Sequence, residues 1–216
     1  MITITRFLLV CGFIMGATSC GSHLTTYYYL LNTDPELDKA EDSFPLTLDI
    51  ATVRSPSRYQ DRIFYRTGNF EVGFYDHSQW VEFPPDMLKS ILVNSLRASD
   101  LFLEVGSIGG AGDSDLILRS ELGRFDQIVA EEDCFADFEL ALELMDCASE
   151  KMIWSYRASE RVKQEEDGEF AAAMNEAVHR AIVKIVAELA RSPSLKEIAA
   201  GKKEKLKDDD GSGGGR

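Results

Sequence analysis

The stretch Cys134-Phe-Ala-Asp-Phe-Glu-Leu-Ala-Leu-Glu-Leu-Met-Asp146 decides the fold class. Phe138, Leu140, Leu142 and Leu144 recur on every second residue, with Glu139 and Glu143 between them. That period of two belongs to a long strand with one packed face and one wetter face. Similar stretches flank it on both sides. From about Asp115 to Ala130, Leu116, Leu118 and Leu122 share a face; from Lys151 to about Val162, Met152, Trp154 and Tyr156 do the same. Three long strands in succession predict a meander.

Upstream, Leu46, Leu48 and Ile50 alternate with Thr47 and Asp49 as another strand, which Ser55-Pro56-Ser57 ends. Ile63-Phe64-Tyr65 and Phe70 to Tyr75 read as two short strands around a hairpin-like turn at Thr67-Gly68-Asn69. Pro84-Pro85-Asp86 opens a helix, with proline in the first turn and an acid near the positive end of the dipole. Its buried stripe is Leu88, Ile91, Leu92 and Leu96. Leu101 to Val105 returns as a strand. Phe70 to Val105 therefore reads strand–helix–strand, and such a crossover predicts two parallel strands. A closing helix from about Glu169 to Arg191 carries Phe170, Met174, Ala177, Val178, Ala181, Ile185 and Leu189 at helical spacing. The expected fold is α+β. It is a single domain with a mixed, largely antiparallel sheet and two helices packed on one face.

The chain ends differ from this body. Arg6, the apolar run Phe7 to Met15 and the small residues Gly16-Ala17-Thr18-Ser19 have the layout of a signal peptide over residues 1–19. The apolar run is shorter than the roughly 20 residues a membrane span needs. Cys20 follows the small residues directly, an arrangement that resembles a bacterial lipobox, with Ala17 where leucine is usual. This makes Cys20 the expected lipidation site, carrying a diacylglyceryl thioether and, at the new N-terminus, an acyl chain of the palmitate class. Residues 20–43 then form a lipidated leader with a first short strand at Tyr27 to Leu31. Residues 44–192 form the main domain. Residues 193–216, charged and glycine-rich, are expected to be disordered.

Composition narrows the functional classes. The chain has 216 residues, 44% hydrophobic and 28% charged, which excludes polytopic membrane, collagen-like and wholly disordered chains. Its net charge of -14 argues against binding nucleic acid, whose phosphates need clustered Lys and Arg. Gly106 to Gly112 lacks the lysine and the following helix of a phosphate-binding loop. Asp113 and Asp115, Glu131-Glu132-Asp133 and Glu165-Glu166-Asp167 lack the glycine and glutamate of a calcium loop. His23, His77 and His179 are far apart and stand with no nucleophile motif. The expectation is a non-enzymatic protein with no metal site and no cofactor. Cys134 and Cys147 lie at opposite ends of one strand, roughly 40 Å apart, so both are expected as free thiols.

Two motifs point to a family. Ser55-Pro-Ser-Arg-Tyr-Gln-Asp-Arg-Ile-Phe-Tyr-Arg66 and Gln79-Trp-Val-Glu-Phe-Pro84 resemble the paired signature of the ABC-type transport auxiliary lipoproteins, the family of paraquat-inducible protein C. In the second motif Val81 stands where the family has alanine, and Phe83-Pro84 where it has proline and leucine. The resemblance spans about residues 26–192. It implies a periplasm-facing component of an intermembrane lipid transport system, with ABC transporter components and an MCE-domain protein as partners. Gly21 rather than aspartate after Cys20 adds an expectation of retention on the periplasmic face of the bacterial outer membrane, and homo-oligomers are compatible with this reading. The alternative is an outer-membrane lipoprotein accessory to another envelope assembly, for lipopolysaccharide insertion or secretion. Tyr59, Asp61, Arg62 and Trp80 are the candidate partner-binding residues, since loop Tyr, Trp and Arg are typical interface anchors. A local role competes: Asp61 and Arg62 fixing a turn, and Trp80 capping the first helix against the sheet.

Overall fold

Alternating side chains and turn residues set the described part of the chain into eight strands and three helices. In order they are β1 Tyr27–Tyr29, β2 Phe44–Ile50, β3 Arg62–Thr67, β4 Glu71–Trp80, α1 Pro84–Ala98, β5 Phe102–Ser107, β6 Leu116–Val129, β7 Cys134–Asp146, β8 Lys151–Lys163, α2 Phe170–Arg191 and α3 Pro193–Gly211. The computed structural model describes residues 25–211 apart from 34–36, 38, 40–42, 69, 108–113, 132 and 167. The signal peptide and Cys20 lie outside the described residues, as does the middle of the Gly106–Gly112 link.

The meander forms as the alternation predicts. β6 pairs antiparallel with β7 from Leu116↔Asp146 to Val129↔Cys134, and β7 pairs antiparallel with β8 from Phe135↔Lys163 to Asp146↔Lys151. One irregularity shapes the rest. Leu122 pairs with Leu140 and Arg124 with Glu139, so Gly123 is the extra residue of a bulge. A Cβ at this position would lie 2.6 Å from Glu139 Oε1, so a larger residue would have to displace that carboxylate. The bulge flips the parity of β6. Leu116, Leu118 and Leu122 face the core before it; after it Phe125 takes the inner face beside Phe138, while Arg124 and Asp126 pair with Glu139 and Asp137.

The other edge of β6 is shared. Its start pairs in parallel with β2 and its end in parallel with β3. β2 in turn carries β5, whereas β3 carries β4 and then β1, so the sheet forks into two branches. This corrects the predicted strand–helix–strand pairing. β4 runs antiparallel to β3, while β3, β6, β2 and β5 all run one way, so β4 and β5 sit on different branches in opposite directions. The pairing partners of both strands are distant in sequence, and local pattern does not reveal them.

The helices cover the inner face. Leu88, Ile91, Leu92 and Leu96 of α1 are buried, as are Met174, Ala177, Val178, Ala181, Ile185 and Leu189 of α2. α1 packs on β5 and β2, α2 on β8 and β7, and the two helices touch. α1 ends at Ser99, after which Asp100 adopts φ 53°, a left-handed conformation that a short polar side chain tolerates.

Pro193–Gly211 is helical, contrary to the disorder expected there from composition, and residues 212–216 lie outside the described residues. Ser192 stands before Pro193 at the helix start, with its Oγ 3.4 Å from the Leu195 N–H as acceptor, an N-terminal signal that the charge count hides. Leu195 and Ala199, one turn apart, are buried, and α3 packs on β2 and β8. Lys202 then reaches Asp115, donating to Oδ1 at 2.6 Å. Among the described residues no helix is long and apolar enough to cross a membrane.

Candidate functional site

The four predicted docking residues do not form one surface. Tyr59 is only 3% exposed. Its ring sits edge-on to Phe64 and Phe125 at 6.0 and 6.3 Å, and its hydroxyl donates to Asp126 Oδ1 at 2.5 Å. Burial, then the hydrogen bond to Asp126 and that carboxylate's charge, push the phenol up to about 12. Arg58 lies over the Tyr59 ring at 4.5 Å and donates to Gly123 O at 3.2 Å. Trp80 is also 3% exposed, against Phe125 at 5.2 Å, Phe170 at 6.1 Å and Tyr29 at 6.5 Å. The ring thus joins β1, β6 and the start of α2, so the helix it meets through these stacks is the second rather than the first.

Asp61 and Arg62 are exposed. The Asp61 carbonyl accepts the Trp80 N–H at 2.5 Å, holding the entry to β3 against the end of β4. Arg62 stands 3.7 Å from Asp76 and 4.7 Å over the Phe74 ring. Burial withdraws Tyr59 and Trp80 from the surface, where they join segments distant in sequence, while Arg62 contacts the nearby Asp76 and Phe74.

Behind Tyr59 lies a charged layer that strand periodicity alone does not announce. Asp126 and Asp137 face each other across β6 and β7, each 2% exposed. Arg66 pairs with both carboxylates, at 2.8 Å to Asp126 and 3.2 Å to Asp137. Arg124 lies 3.0 Å from Asp137 and 2.9 Å from Glu139, Arg161 3.2 Å from Asp137, and Arg157 2.6 Å from Glu139. The Nε groups of Arg66 and Arg124 are close ion pairs outside hydrogen-bond alignment. Two adjacent buried carboxylates repel, so these guanidinium groups hold the outer face together. The sequence signal was present in the outward positions of β6, β7 and β8, but the Gly123 parity change obscured it.

A second feature is a cavity of about 230 Å³ at the start of α2, lined by residues including Tyr29, Tyr75, Gln127, Gln164, Glu169 and Phe170. Gln127 Nε2 donates to Gln164 Oε1 at 2.8 Å, and Gln164 Nε2 donates to the Gly168 carbonyl at 2.6 Å. Gln127 Oε1 is buried and has no protein partner among the described residues. Among those residues no three His, Cys, Asp or Glu side chains are grouped so as to hold a metal ion. His179 Nδ1 lies 3.3 Å from Thr33 Oγ1, and His77 is exposed.

A third feature is an apolar edge. Tyr27, Tyr28 and Leu30 are 58%, 64% and 54% exposed on and just after β1, and Val81 and Phe83, just beyond β4, are 58% and 50% exposed. The two segments are registered side by side through Tyr29↔Trp80 and the Val81 N–H donating to Tyr29 O at 2.8 Å.

Comparison with known proteins fits this architecture. No curated protein is similar enough to match. The structure resembles a crystal structure of a DUF330 protein from Xanthomonas campestris, with a TM-score of 0.64 and 19% identity over 84% of this chain and 99% of that one. A second, described as an uncharacterized protein, has a TM-score of 0.52 and 14% identity over 77% of this chain and 97% of the other. At such identities these likenesses show the fold alone. PelC from Paraburkholderia phytofirmans, solved as a dodecamer, is more distant, with a TM-score of 0.39 and 12% identity over 70% of this chain and 92% of that one. The model of the ABC-type transport auxiliary lipoprotein component matches residues 29–186, nearly all of the body built above, and the chain belongs to that family.

Proposed function

We propose that this chain is the non-enzymatic, periplasm-facing lipoprotein of an ABC/MCE-type intermembrane lipid transport system, held on the outer membrane by acyl chains on Cys20. The family match over residues 29–186 carries the reading. The lipobox at Cys20 and the exposed edge beside β1 support it. Tyr27 lies seven residues beyond Cys20, a tether reaching at most about 25 Å at 3.3–3.6 Å per residue. An anchor at Cys20 therefore brings Tyr27, Tyr28, Leu30, Val81 and Phe83 close to the leaflet, where tyrosine and other aromatic side chains are favoured. Anionic headgroups repel a body whose residues 20–195 keep a net charge of -16, so acyl chains must supply the attachment. Each buried methylene contributes about 0.8 kcal/mol, and two or three chains hold firmly where one does not.

Membrane fractionation of a Cys20→Ser variant tests the anchor. The variant should leave the membrane fraction; one that still pellets and resists a carbonate wash would overturn the Cys20 assignment. The transport half of the reading is tested by recovery of its partners from solubilised membranes.

A further inference from the structure

The apolar corner where β1 meets the end of β4 is left uncovered by the fold. β1 ends its branch of the sheet, with no strand among the described residues on its far side. Edge strands are normally blunted by charge or proline, and β1 has neither. Residues 27–31 and 80–85 together carry one charged side chain, Glu82, in a chain that is 28% charged. Tyr27, Tyr28, Leu30, Val81 and Phe83 are each half exposed or more, and the register Tyr29↔Trp80 gathers them at one corner. A contiguous exposed apolar patch marks a contact with protein or with membrane.

The tether chooses between the two. Tyr27 follows Cys20 by seven residues, so an acylated cysteine holds it within about 25 Å of the leaflet. A globular partner of about 100 residues, with a radius of gyration near 13 Å, would fill that whole gap. The side chains agree, because tyrosine and other aromatic rings are favoured at headgroup level. The chain's net charge of -14 makes the matching surface a neutral rather than an anionic one. We propose that this corner seats in the zwitterionic headgroup layer of the leaflet that holds the anchor, so the domain stands in a fixed orientation instead of swinging on its tether. Glu71 and Asp76 are exposed along the rest of β4, so the contact stops at the corner. The ten residues of β4 span about 30 Å and set Phe70, 95% exposed, at the opposite end. The inference rests on the Cys20 anchor; what it adds is the seated corner and the orientation.

The test reconstitutes the full acylated chain into vesicles of dioleoylphosphatidylcholine, part of it brominated on the acyl chains, and reads tryptophan quenching. Tyr28→Trp and Phe83→Trp replace exposed side chains on the two segments of the corner, and Phe70→Trp is the distant control. Each is compared with the wild type, whose Trp80 and Trp154 set the background. Bromine should quench the added emission of Tyr28→Trp and Phe83→Trp and leave that of Phe70→Trp unchanged. Blue-shifted but unquenched emission at the corner means that a second copy or another protein covers it, which overturns the proposal, as does equal quenching of all three variants. Flotation of the same vesicles reads the anchor separately. Protein that floats without quenching at the corner overturns the seating alone, whereas protein that fails to float removes the Cys20 anchor and the seating with it.

Discussion

The Tyr59 hydroxyl donates to Asp126 Oδ1 across 2.5 Å, tying the loop before β3 to a buried carboxylate on β6. Tyr59 therefore helps hold the fork of the sheet together. Replacing it by phenylalanine keeps the ring contacts and removes a donor from Asp126. Tyr59→Phe should destabilise the fold by about 1–3 kcal/mol in urea titration while leaving partner recovery unchanged.

The same contact predicts an alkaline weakness. The unfolded phenol ionises near 10.0 and the folded one near about 12, so the unfolded state loses its proton first. Stability from this group is complete below pH 10 and falls as pH rises toward 12, by up to about 3 kcal/mol. Denaturation midpoints across this range should show that loss in the wild type, and a smaller one in Tyr59→Phe.

The contact between α3 and the sheet has an acid limit. Burial raises the Asp115 carboxyl, but hydrogen bonds from Lys202 and Thr47 and the Lys202 charge outweigh it, so its pKa lies below the usual 3.8. A depressed carboxylate stabilises the fold above the unfolded value and loses that contribution as pH falls through the folded one. Lys202→Ala at pH 7 should speed hydrogen exchange at the amides of Leu195 to Ala199. Protection of these amides in the wild type should decline below pH 4, ahead of the core of α2.

Cys134 and Cys147 are free thiols at the two ends of β7. Burial raises the Cys147 thiol above its ordinary 9.0, which keeps it protonated and slow to react at neutral pH. Labelling of the unfolded, unreduced protein should tag both residues. An intramolecular bridge between them would contradict the β7 assignment.

Local pattern carried the meander because every inward side chain of β7 follows a period of two, and its bounds, Cys134 and Asp146, could be read directly. It also carried the stripes of α1 and α2. Pairing across the fork could not be read, because β2 and β3 meet β6 more than sixty residues away in sequence. α3 was hidden by its charges, although Ser192-Pro193 and the Leu195–Ala199 spacing marked a helix that buries a narrow stripe. Tyr59 and Trp80 have the residue types of interface anchors, but aromatic side chains in loops and at strand ends serve equally as core. Only the neighbours Phe125, Phe170 and Asp126 separate the two roles. The cavity escaped notice because it assembles Tyr29, Tyr75, Gln127 and Glu169 from four distant segments.

Participation in an ABC/MCE-type lipid transport system can be read from affinity recovery of the tagged protein from detergent-solubilised membranes at native expression. Mass spectrometry of the recovered material should identify an MCE-domain protein together with the permease or ATPase of one transporter. Recovery of the intact acylated protein with no transporter component, or with the machinery of lipopolysaccharide insertion or secretion in its place, would contradict the account.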